Sequence, residues 1–194
     1  MGRVTGVRDN LEAMIAVVVP CYRVRAHILG VLAAIGSECE RIYIVDDCCP
    51  EGSGAWVESQ CRDPRVRVLK HEVNRGVGGA TLTGYAAAVE DGATVIVKID
   101  GDGQMDPELI PLFVAPILAS EADYTKGNRF FEPGGLHCMP PVRLFGNTVL
   151  SFLTKLSSGY WNLFDPTNGY TAIHAKVARL ILRRDVDQRW FFES

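Results

Sequence analysis

The run Lys98-Ile-Asp-Gly-Asp-Gly-Gln104 places two carboxylates, Asp100 and Asp102, one residue apart in a glycine-bearing turn. At that spacing both can point toward one hard cation. Mg2+ or Mn2+ typically takes only one or two protein carboxylates, and diphosphate oxygens and water complete the octahedron. A cation held this way neutralises a diphosphate leaving group as charge develops on it. An isolated Asp-x-Asp also occurs in plain surface turns. Here a hydrophobic strand pattern precedes it, and Asp106-Pro107 opens a helix after it.

A second acidic pair, Val45-Asp46-Asp47, also closes a hydrophobic run. A carboxylate there can accept from a nucleobase N–H or a ribose hydroxyl; the alternative is helix capping or a solvated turn. Val19-Pro20-Cys-Tyr22 ends the first apolar run with an aromatic ring able to cover a base. Asn74-Arg75-Gly76-Val-Gly-Gly79 superficially resembles a phosphate loop but has neither the Rossmann nor the Walker spacing. Its glycines read as close helix packing, with Arg75 near any ligand bound there. The histidines at 27, 71, 137 and 174 are too scattered for a metal set and read as mostly structural.

These residues need elements to position them. Ile15–Val19, Arg41–Val45, Arg65–Leu69 and Thr94–Ile99 read as strands, with 123–126 and Tyr170–Ile173 as short ones. Ala26–Ile35, Trp56–Cys61, Gly78–Asp91, Pro107–Leu118 and Lys176–Leu182 read as helices. The alternation predicts an α/β domain, a mainly parallel sheet with helices on both faces. Ligands bind at the carboxyl ends of such strands, where both acidic clusters fall. Past residue 127 the rhythm breaks: Gly127–Pro141 and Gly159–Asn168 read as loops, and Val142–Leu156 as an amphipathic helix. That helix either packs on a core or lies at a membrane interface with its apolar residues facing acyl chains.

The chain has 194 residues, with 47% hydrophobic and 22% charged, the mix of one globular domain. No apolar run reaches the roughly 18–20 residues of a membrane span. Met1–Asn10 has no signal-peptide pattern, so the expected location is the cytoplasm. The abrupt end at Phe191-Phe192-Glu193-Ser194 suggests further C-terminal elements in the natural protein. Six cysteines without a Cys-x-x-Cys pair predict reduced, mostly buried thiols. The net charge of -3 divides unevenly: residues 1–124 carry 11 Lys/Arg against 18 Asp/Glu, and residues 125–194 carry 9 against 5. An acidic part suits cations, and a basic part suits an anionic substrate or membrane surface. No nucleic-acid partner is expected.

Val-Val-Pro-x-Tyr, Val-Asp-Asp, Asp-x-Asp-x-Gln, Gly-Asn-Arg and Asp-Pro-Thr-Asn-Gly-Tyr occur in that order. Together they resemble family 2 glycosyltransferases of the GT-A fold, over roughly residues 14–194. The likeness is nearest to the polyprenyl-phosphate branch, which includes dolichyl-phosphate mannose synthase and its undecaprenyl-phosphate relatives. The resemblance implies a nucleotide-diphosphate sugar as donor, UDP- or GDP-linked, and Mg2+ or Mn2+ as cofactor. It implies Pro20, Tyr22 and Asp47 at the nucleoside, and Asp100 near the ribose and the metal. Asp102 would be the main metal ligand, with Gln104 beside the donor. Arg129, Arg143 and Asn147 would meet the acceptor phosphate, and Arg189 would close over the phosphates. Asp165 and Glu193 would lie on the acceptor side, Glu193 near the place of a general base. Arg23-Val24 and Cys48-Cys49 depart from the family pattern, so base contacts beside Tyr22 are expected to differ.

A hydroxyl acceptor would need a base such as Glu193 or Asp165. A phosphate acceptor is already anionic and needs arginines to position it. Arg129 and Arg143 favour the second case, a polyprenyl phosphate at the inner membrane face, over a saccharide hydroxyl. A sugar-phosphate nucleotidyltransferase would need a glycine-rich basic loop after the first strand, which Pro20-Cys-Tyr-Arg-Val does not supply. A catalytically dead nucleotide-sugar-binding domain is the non-enzyme alternative, opposed by intact Asp100, Asp102 and Arg189.

Overall fold

The computed structural model describes residues 13–127 and 168–184. β-Branched runs form the strands β1 (Ile15–Cys21), β2 (Arg41–Asp46), β3 (Val66–Lys70) and β4 (Val95–Lys98). Short strands β5 (Tyr124–Lys126) and β6 (Thr171–His174) follow. The six strands pair in the order β3-β2-β1-β4-β6-β5. β1 lies parallel to both β2 and β4, and β2 parallel to β3. β6 runs antiparallel to β4 and β5, so the sheet is mainly parallel, as expected.

The helices are α1 (Ile28–Ala34), α2 (Ser53–Gln60), α3 (Gly76–Glu90), α4 (Ile110–Leu118) and α5 (Ala175–Leu182). Alternate strand residues feed two apolar cores. Val17 and Val19 pack with α1, α2 and α4 through Ile28, Leu32, Val57 and Val114. Ala16 and Val18 pack with α3 and α5 through Ala80, Tyr85 and Ala178. The central strands β1, β2 and β4 are therefore buried on both sides, which is why they read as continuous runs rather than alternations.

The main shift from expectation is at α2, which starts at Ser53 rather than Trp56. The Asp46 carboxylate accepts from Gly54 N–H at 2.8 Å, which allows the helix to begin that early. A 3-10 turn, Pro107–Leu109, precedes α4, with Asp106 accepting from Glu108 N–H. Of the glycines expected to pack closely, Gly78 and Gly79 are buried in α3; further along the helix, an added Cβ at Gly84 would run into the Val18 side chain. Among the described residues the cysteines are free, with Cys21 and Cys39 buried but Cys48 exposed and Cys49 and Cys61 half-buried, fewer buried than expected. The loops expected after residue 127 and the helix expected at 142–156 lie outside the described residues, apart from Gly127 and Asn168.

Candidate active site

The strand order brings the carboxyl ends of β1, β2 and β4 together. Cys21 lies beside Asp46, and Val18 beside Lys98, so the loops leaving these strands meet at one edge. The order reverses at β1, the switch point where open α/β sheets bind ligands. A cleft of about 760 Å³ opens there, its walls including Pro20, Tyr22, Asp47, Asp100 and Asp102. Five residues singled out by type and spacing thus come together.

The wall from β1 carries a cation over an aromatic ring. The Arg23 guanidinium lies 5.4 Å from the centroid of the exposed Tyr22 ring. Arg23 adopts φ 58, a left-handed conformation unusual for a non-glycine residue. Its N–H donates to Cys49 Sγ at 3.1 Å, which ties the loop to the start of α2.

The two aspartates closing β2 divide their work. Asp46 accepts from Cys49 N–H at 2.7 Å and from Gly54 N–H at 2.8 Å, so its role is to hold the turn into α2. Asp47 faces the other way and lines the cleft. Its Oδ1 accepts from Arg75 N–H at 2.8 Å and lies 2.7 Å from His71 Nδ1. Its Oδ2 accepts from Gly76 N–H at 2.8 Å, where Gly76 has φ 81 at the start of α3. A buried carboxylate requires such partners.

β4 delivers the second acidic cluster. Ile99 N–H donates to Val18 O at 3.1 Å, continuing the ladder to the turn. The buried Lys98 Nζ sits 2.9 Å from Asp100 Oδ1. Asp102 Oδ1 accepts from Gln104 N–H at 3.0 Å, a turn made possible by Gly103 at φ 79. Gln104 is exposed, and its backbone N–H holds the Asp102 turn. Gly101 fits closely, since a Cβ there would come 3.1 Å from Ile28 Cδ1 and Val24 Cγ2.

The donor set fits a hard divalent cation that relies on its ligand for most of its coordination. Asp100 and Asp102 offer carboxylate oxygens, hard ligands, at the cleft surface. Among the described residues no group of three or more His, Cys, Asp or Glu forms a self-sufficient metal cage. Mg2+ and Mn2+ do not need one when a diphosphate supplies oxygens.

The chain matches the glycosyl transferase family 2 model over residues 16–182. It belongs to glycosyl transferase family 2. It is 38% identical over 117 residues to a UDP-N-acetylglucosamine–dolichyl-phosphate N-acetylglucosaminyltransferase of Methanococcus voltae, covering 60% of this chain and 46% of that protein. It is 33% identical over 141 residues to an undecaprenyl-phosphate mannosyltransferase of Micrococcus luteus, covering 72% and 57%. The chain spans about half the length of these two relatives. Glucosyl-3-phosphoglycerate synthase of Mycobacterium tuberculosis, solved with Mn2+, UDP and glucosyl-3-phosphoglycerate, superposes with a TM-score of 0.63. It is 20% identical and covers 86% of this chain and 58% of that one. The fold is GT-A, and the named relatives match the polyprenyl-phosphate branch of the family.

Two contributors escaped sequence reasoning. His71 reads as structural by its isolation, yet it contacts Asp47, and its position directly after β3 was the available signal. Lys98 is a charged residue inside an apolar strand, a pattern that marks an ion pair at the strand end. Arg129, Arg143, Asn147, Asp165, Arg189 and Glu193 lie outside the described residues.

Proposed function

We propose that this chain carries the donor site of an inverting, metal-dependent glycosyltransferase acting on a polyprenyl phosphate. The observation that carries the reading is the convergence of Asp47, Asp100 and Asp102 on one cleft at the switch point of the sheet. The relatives named for transfer to dolichyl and undecaprenyl phosphates support the acceptor class. Mn2+ and UDP in the glucosyl-3-phosphoglycerate synthase structure support the donor and metal class for the same fold.

In this reading Pro20, Tyr22 and Asp47 hold the nucleoside, and Asp100 and Asp102 hold the cation, Mg2+ or Mn2+. Bound there, the cation supplies charge neutralisation for the departing nucleoside diphosphate. Inversion needs an acceptor oxygen in line with the leaving group, so positioning carries most of the catalysis. Arg129, Arg143 and Asn147 orient the acceptor phosphate, and Arg189 closes over the diphosphate. A phosphate oxygen is a nucleophile without deprotonation, so Asp165 and Glu193 serve the acceptor side rather than an obligatory base step.

Among the described residues no helix is long and apolar enough to cross a membrane. Docking at the inner membrane face, with the acceptor reaching in from the bilayer, fits that reading. The experiment is sugar transfer by the whole 194-residue chain, with Mn2+, to polyprenyl phosphate and to the matching polyprenol. Labelled glycolipid formed only from the phosphate supports the reading. Equal transfer to the alcohol, or transfer to saccharide alone, overturns it.

A further inference from the structure

The partners already bound to Asp47 restrict which nucleobase it can read, and this rests on the cleft being the nucleotide site. A carboxylate has about four acceptor positions, roughly two on each oxygen. On Oδ1 both are taken, one by Arg75 N–H at 2.8 Å and one by His71 Nδ1 at 2.7 Å. On Oδ2 one is taken, by Gly76 N–H at 2.8 Å. The Asp47 side chain is 3% exposed, so only one corner of the group reaches the cleft. One acceptor position remains.

Guanine presents N1–H and the adjacent N2–H2, a pair that a carboxylate satisfies only with both oxygens side by side. Uracil presents a single N3–H between two carbonyls and needs one. We infer that the donor is a uridine rather than a guanosine nucleotide, and that His71 is a positioning residue that sets this preference. His71 is well placed to do so. Its N–H donates to Asp46 O at 2.9 Å, extending the β2–β3 ladder past Lys70. Its Nε2 lies 2.9 Å from Thr83 Oγ1, a hydroxyl that also sits 3.0 Å from Gly79 O within α3. A carboxylate only accepts, so the proton on Nδ1 points at Asp47. The imidazole is thus braced between a strand end and a helix, and it stops the carboxylate from turning both oxygens toward the cleft. A pre-set acceptor of this kind rejects a base whose second donor it would leave unpaired.

The test is calorimetric titration of UDP and of GDP into the whole chain with Mn2+, repeated for His71→Gln and His71→Phe. UDP is expected to bind at least about tenfold tighter than GDP, the scale of one unpaired hydrogen bond to a charged group. His71→Phe is expected to narrow that ratio, with His71→Gln between it and the native protein. GDP binding as tightly as UDP overturns the inference while leaving the cleft a nucleotide site. Failure of both nucleotides to bind removes the donor-site reading itself. Equal weakening of both by His71→Phe, with the ratio intact, reduces His71 to a structural residue. The comparison of UDP with GDP on the native chain remains decisive if neither variant folds.

Discussion

The Lys98 ammonium, 1% exposed, sits 2.9 Å from Oδ1 of an Asp100 side chain that is 34% exposed. The two halves of this ion pair are therefore unequal in what their loss would do. Replacing the buried cation with an apolar side chain of similar shape leaves a carboxylate that water can reach, and such replacements are often neutral or stabilising. Removing the carboxylate instead takes from a buried ammonium a close counter-charge. Asp100→Ala is expected to lower stability more than Lys98→Met, which is expected to cost less than about 1 kcal/mol. Urea unfolding of both variants checks the asymmetry. A larger loss for Lys98→Met would mean that the lysine stem, not the pair, stabilises the strand end.

Asp102 has a different standing. Among the described residues its carboxylate accepts from Gln104 N–H in its own turn, so its loss disturbs little of the fold. Asp102→Ala is expected to abolish Mn2+-dependent nucleotide binding while leaving unfolding within about 0.5 kcal/mol of the native value, as for a surface change. Titration with and without chelator measures the first, and thermal unfolding the second. Metal-dependent binding that survives the substitution would remove Asp102 from the cation site.

Much of this was legible in the sequence because the strands are buried on both faces. Ile15–Cys21 and Arg41–Asp46 carry unbroken apolar runs that end where polar chemistry begins, so fold class and site edge come from one signal. Asp100 and Asp102 were readable because an Asp-x-Asp at a strand end is a local pattern. The division between Asp46 and Asp47 was not. Adjacent side chains in extended backbone point to opposite faces, and which one meets the cleft depends on the later packing of α2 and α3. His71 was hidden for a related reason: it is 24 residues from Asp47, and only the β2–β3 pairing makes them neighbours. Gln104 shows the converse: the bond its N–H makes to Asp102 is one that any residue but proline could make, so it leaves no mark in the sequence.

Gly84 is a position where packing outweighs helix propensity. Alanine there would gain about 1 kcal/mol of intrinsic helix preference. The added Cβ, however, would press on Val18, with its Cγ2 only 2.9 Å away, and Val18 is fully buried in the central strand. Overpacking of that kind typically costs about 1–3 kcal/mol. Gly84→Ala is expected to be destabilising on balance, and Val18→Ala added to it is expected to be less harmful than the two single changes summed. A double-mutant cycle by denaturant unfolding measures that coupling. Strict additivity would show that α3 shifts outward instead.

The cysteines around the first two strand ends should differ sharply in reactivity. Burial pushes the Cys21 thiol up to about 12, and the nearby Asp46 charge adds to it. Burial also pushes Cys39 up to about 12. At Cys49 burial acts in the same direction, but hydrogen bonds from Ser53 and from Arg23 N–H outweigh it, so the thiol lies below its ordinary value. The thiolate is the reactive form, and a depressed thiol keeps a larger thiolate fraction as pH falls. In a Cys48→Ser background, which removes the exposed neighbour, iodoacetamide is expected to modify Cys49 before Cys21 and Cys39 at neutral pH. Its rate should decline at lower pH than that of an ordinary thiol, while Cys21 and Cys39 stay unmodified until the chain unfolds. Because Cys49 Sγ accepts from the N–H of Arg23, a cleft-wall residue, its alkylation should also weaken nucleotide binding. Peptide mass mapping over a pH series, with a parallel UDP titration, reads both effects. Early modification of Cys21 would show that the β1 end opens to solvent, and full UDP binding after Cys49 alkylation would show that its bond to Arg23 does not shape the cleft.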